Sequence, residues 1–118
     1  MFKQLRESSG NVLGFKIFED TVDEDVREIS RIMSEAVAAS GRIRLLVEIE
    51  GFRHMELDDL LGKLGFAADH ASQIERMAVL SSRVWIKSWV KLGGPVTGPD
   101  VEHFDRHKID AAWEWIRS

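Results

Sequence analysis

The nine residues "RIRLLVEIE" (42–50) constrain the fold more than any other stretch. They form a nearly continuous apolar run that stops at Gly51. A strand with only one buried face alternates apolar and polar residues, so a run this dense predicts a central strand covered on both sides. Such strands belong to parallel sheets with helices packed against them. Glu48 and Glu50 fall on one face of this strand, opposite Val47 and Ile49.

The flanking segments fit that frame. "NVLGFKIF" (11–18) predicts a strand anchored by Val12, Phe15 and Ile17, with "MFKQL" as a short partner and "ESSGN" as the turn between them. "EDTVDEDVREISRIMSEAVAASG" predicts a helix opened by a capping box, Thr21 with Glu24, and closed by Gly41. Val22, Val26, Ile29, Met33, Ala36 and Val37 recur along it at helical spacing. "MELDDLLGKLGFAADHA" predicts a second helix, "RMAVLSS" (76–82) a second buried strand, and residues 83–92 a third helix before the breaker-rich "GGPVTGP". "DVEHFD" predicts a last short strand. "RHKIDAAWEWIRS" predicts a terminal helix with Ile109, Ala112, Trp113 and Ile116 on one face and Trp115 off that line. The expected fold is α/β, one domain over 1–118, with a mostly parallel mixed sheet of about five strands flanked by about four helices.

Composition excludes several classes. The chain has no cysteine, hence no disulfide, thiol nucleophile or thiolate metal site. Its net charge of −4 argues against general nucleic-acid binding. No apolar run approaches the ~18 residues of a membrane span, and "MFKQLRESSG" lacks the apolar core of a signal peptide, so a cytoplasmic protein is expected. Yet Arg76, Arg83, Lys87 and Lys91 give residues 76–99 a charge of +4, which leaves −8 for the remainder.

Several blocks, "GNVLGFKI", "GRIRLLVEIEGF", "IERMAVLSSRVW", "VEHFD" and "AAWEWIR", resemble the SpoIIAA-like proteins, a bacterial branch with the STAS-type fold of the anti-sigma-factor antagonists. The resemblance runs through nearly the whole chain. It implies a small mixed sheet flanked by helices, no established enzymatic activity, and proposed roles in binding apolar ligands and associating with membranes. Anti-sigma antagonists switch by phosphorylation of a serine in an Asp-Ser-x-Gly-type motif after the central strand. Here the corresponding "IEGFRHMELDD" has no serine or threonine, so that switch does not carry over.

The segment "SSRVWIKSWVKLGGP" (81–95) is the local anomaly. On a helix, Arg83, Lys87 and Lys91 form one basic stripe and Trp85 and Trp89 a neighbouring aromatic one. That pattern suits an anionic membrane surface or an acidic partner, with the peripheral location that implies. The competing reading packs both tryptophans on the sheet. Trp85, Trp89 and Trp115 with Phe66 and Phe52 are the candidate lining for an apolar or amphipathic small molecule. Partner capture, by a protein or by a second copy of the chain, is the alternative.

A third reading is a small hydrolase on the Glu50, His54, Ser82 rim, although no G-x-S-x-G elbow is present. His54, His70, His103 and His107 lack metal-ligand spacing, so no metal and no cofactor are expected.

Overall fold

The central strand forms where the apolar run predicts it. The computed structural model describes residues 1–18, 20–51, 73–81 and 100–118, and these build a five-stranded sheet whose spatial order follows the sequence. The strands are β1 (Phe2–Gln4), β2 (Val12–Phe18), β3 (Ile43–Glu50), β4 (Ile74–Leu80) and β5 (Asp100–Phe104). β1 pairs antiparallel with β2, and β2 through β5 run parallel. The hairpin turns at Gly10, whose φ of 58° suits glycine. Ser9 and Val12 exchange backbone hydrogen bonds of 2.9 and 3.0 Å there.

Helix α1 (Asp23–Ser40) covers one face of this sheet and α2 (Ile109–Arg117) the other. On the α1 side Phe15, Ile17, Leu45, Val47, Met77 and Val79 meet Val26, Ile29 and Met33. On the α2 side Val12, Leu46, Ala78 and Leu80 meet Ala112, Trp113 and Ile116. β3 is therefore buried on both faces, which is why its sequence reads as a run. Each apolar side chain taken fully out of water in this way contributes about 1.5–3 kcal/mol.

Some expectations change. Two α-helices stand among the described residues, against about four expected. The segments expected to supply the others, "MELDDLLGKLGFAADHA" and 83–92, lie outside the described residues. β4 begins two residues earlier than expected, at Ile74, and ends at Leu80. Thr21 does not cap α1. Its hydroxyl donates to the carbonyls of Phe18 and Met1, at 2.6 and 2.7 Å, and so ties the exit of β2. The N-cap moves to Val22, whose N–H donates to Asp25 Oδ2 at 3.1 Å. As a cap residue Val22 leaves the apolar face on which it was expected and is 57% exposed. Gly41 closes the helix with φ of 81°, as glycine at this position permits.

Two arginines from the starts of the strands close the far end of α2. Arg44 donates from Nη1 to the Ile116 and Ser118 carbonyls at 2.9 and 3.2 Å. Arg76 donates to the Trp115 carbonyl at 2.9 Å and to Ser118 Oγ at 2.7 Å. Cations belong at a helix C-terminus, where the last carbonyls carry partial negative charge. Arg76, counted in the positive segment 76–99, thus spends its charge inside the fold. Replacing it, Arg76→Ala, is expected to cost about 1.5 kcal/mol, in line with loss of hydrogen bonds from a charged group. Urea denaturation checks this, and Arg76→Lys should recover only part because an ammonium lacks the planar fork.

Candidate functional site

At the carboxyl ends of β2 and β3 the face shared with α2 turns from apolar to charged. Parallel register sets Lys16 beside Glu48 and Phe18 beside Glu50. Because side chains alternate, all four lie on one face. Glu48 sits mid-sheet and is 9% exposed, an unusual place for a carboxylate. Its charge is matched from two directions. Lys16 Nζ lies 4.0 Å from Glu48 Oε1, and Arg106 Nε donates to the same oxygen at 3.3 Å. Arg106 comes from the short 3-10 turn Arg106–Lys108 that leads from β5 into α2.

Glu50, further out, shares both cations, at 3.6 Å from Lys16 and 3.6 Å from Arg106. The Lys16 ammonium also stands 5.2 Å from the centre of the Phe18 ring. Four charged groups thus hold one another in place. The strand ends at Glu50, and Gly51 follows it with φ of 85°, a conformation that suits glycine.

Next to this array lies an open cleft of about 560 Å³, lined among the described residues by Met1, Phe18, Asp20, Glu50 and Gly51. The Met1 amine is 3.0 Å from Asp20 and 3.0 Å from Asp25. Desolvation, the largest single effect, pulls the amine pKa down, but the hydrogen bonds to Asp25 and Asp20 and their charges together raise it. The Val22 N–H and then the amine hold the Asp25 carboxyl below its ordinary range.

The residues singled out in the sequence are distributed unevenly. Phe52, Phe66, Trp85, Trp89, Arg83, Lys87 and Lys91 lie outside the described residues, as do His54, His70 and Ser82. Trp115 is half-buried over the β4–β5 edge. Its ring centre is 5.9 Å from that of Phe104, and the Arg76 guanidinium lies 5.2 Å from it. Trp115 is not among the described residues lining the cleft. His103 Nε2 lies 3.0 Å from the Ser81 carbonyl, which can only accept, so that nitrogen carries a proton. Its position in β5 and that of His107 in the following turn keep the pair off a common helix face. Among the described residues no group of three His, Cys, Asp or Glu could hold a metal ion, and no helix is long and apolar enough to cross a membrane.

The shared face of Glu48 and Glu50 is legible from strand alternation. Lys16 and Arg106 are not, and the only signal for Lys16 is a lone cation inside an apolar strand. A family model described as SpoIIAA-like matches residues 12–117. No curated protein matches the chain.

Proposed function

The chain belongs to the SpoIIAA-like family, and on that premise we propose that it is a non-enzymatic module that binds a partner protein through the charged rim of its sheet. The observation that carries this reading is the array of Lys16, Glu48, Glu50 and Arg106, fixed by its own ion pairs before any partner arrives. Exposed ion pairs stabilise a fold by only ~0–1 kcal/mol each, and a buried carboxylate costs desolvation. Folding alone gives weak reason to place four charges there. Ordered charges do serve recognition, where complementary potentials set orientation and on-rate. With no serine or threonine in "IEGFRHMELDD", binding in this reading is not switched by phosphorylation at that place.

The lipid reading rests on Trp85, Trp89, Arg83, Lys87 and Lys91, and one paired experiment separates the two. The immobilised chain is exposed to lysate of its source cell, and in parallel the free chain is sedimented with anionic and neutral vesicles at low and high salt. The expected result is one retained protein, released by salt and lost with Glu50→Lys, and no vesicle binding. Salt-sensitive binding to anionic vesicles with no retained protein would overturn the proposal in favour of a membrane ligand.

A further inference from the structure

We infer that Lys3 and Lys16, side by side on β1 and β2, receive one carboxylate of the partner protein, an aspartate or glutamate side chain that bridges the two ammonium groups. This rests on the reading of the chain as a protein-binding module and names a group its partner presents.

The register of β1 brings the two lysines together. Lys3 stands directly opposite Lys16 across the antiparallel ladder, so both lie on the sheet face shared with α2. Side chains opposed in this way have β-carbons about 5 Å apart, and like charges so placed work against the fold. A slip of β1 by one residue would separate them but would also carry Phe2 to the wrong face. The Phe2 ring packs on the α1 side, 6.1 Å from the centre of the Phe15 ring, and the Leu5 N–H donates to the Gly14 carbonyl at 2.8 Å.

The fold offers Lys3 no remedy. Its side chain is exposed and finds no ion-pair partner among the described residues. Lys16 has Glu48 and Glu50 at 4.0 and 3.6 Å, both too far for a hydrogen bond, although its side chain is only 24% exposed. Those carboxylates are also shared with Arg106. Glu102 lies on the same face but on β5, three strands away from β2, and Asp20 and Asp25 are held by the Met1 amine. A carboxylate from outside has two oxygens, each able to accept from an ammonium, and so meets both lysines at once.

A lysine on an edge strand also guards against pairing with another chain. Glutamate would guard as well and would remove the opposition to Lys16. The guard role therefore leaves the sign of the charge unexplained, whereas recognition of an acidic group requires it.

The test reads stability and binding together. Lys3→Glu turns the like pair into an opposite one, so its urea midpoint should be no lower than that of the wild type. The ¹⁵N-labelled full chain is titrated at low salt with a synthetic glutamate–serine repeat peptide, with a lysine–serine repeat and inorganic phosphate as counterparts. Only the glutamate–serine peptide should shift the amides of Lys3 and Lys16. Lys3→Glu should weaken its binding by about tenfold or more, because it sets like charges against each other, and Lys3→Arg should retain most of it. Absence of shifts at these amides, equal shifts with the lysine–serine peptide, or indifference to Lys3→Glu would each overturn the inference. So would a lowered urea midpoint for Lys3→Glu, which would give Lys3 a structural role, or equal shifts with phosphate, which would make the occupant a free anion. The two readings fail separately. A partner retained equally by the wild type and Lys3→Glu but lost with Glu50→Lys removes this contact and leaves the module, whereas no retained protein removes the module itself.

Discussion

Gly14→Ala is expected to cost about 3 kcal/mol of stability, at the upper end of what overpacking a core by one methyl does. Gly14 lies in the middle of β2 on the face that receives α2. A β-carbon there would stand 2.5 Å from Trp113 Cη2, 2.7 Å from its Cζ2 and 3.2 Å from Leu5 Cδ1. The ring has little room to yield. Trp113 is 4% exposed, and the Arg117 guanidinium stacks on it 4.7 Å from its centre. Nor can the strand retreat, because the Gly14 N–H donates to Ser8 Oγ at 2.9 Å and its carbonyl accepts from Leu5 at 2.8 Å. In a domain of this size the loss lowers Tm by about 10 °C. A double-mutant cycle with Trp113→Leu checks the mechanism. That change alone opens a cavity and should cost about 3 kcal/mol, but in its background Gly14→Ala should cost less than about 1 kcal/mol. Additive costs would mean that the glycine serves something other than the indole.

The same contact shows where sequence reasoning stops. "RIRLLVEIE" identifies the centre of the sheet because burial on both faces is a local property of the run. Val26, Ile29 and Met33 mark the inner face of α1 for the same reason. Gly14 carries no such signal, since the residue that demands it is a tryptophan on the last helix. The expected and observed starts of α1 differ because "TVDE" satisfies the capping pattern locally, yet the Thr21 hydroxyl finds the Phe18 and Met1 carbonyls instead.

At the rim, alternation alone puts Glu48 and Glu50 on one face. Their counter-ions come from β2 and from the turn after β5, so only the sheet register and the seat of α2 reveal them. Counted along the chain, Arg76 belongs to the positive segment 76–99, whereas the fold turns it onto the Trp115 carbonyl near the end of α2. Trp115 stands off the apolar line of its helix as expected, and the strand edge and the Arg76 side chain supply its partners.

Glu48→Ala is the second large effect, expected at about 3 kcal/mol, because removing one partner of a mostly buried ion pair strands the other charges. Lys16 and Arg106 keep Glu50 within 3.6 Å, which holds the loss at the low end of the range for such changes. Replacing the cross-strand pair as a unit, Glu48→Leu with Lys16→Met, should leave stability within about 1 kcal/mol of the wild type, because apolar groups of similar volume carry no desolvation cost. Arg106 then remains paired with Glu50. Urea denaturation of the two variants decides whether the array exists for the fold. Capture of the partner protein decides whether it exists for recognition. A double variant that folds like the wild type but no longer retains the partner would assign the charges to binding. One that folds and retains it fully would make the array dispensable to both, and the proposed rim would have to give way to another surface.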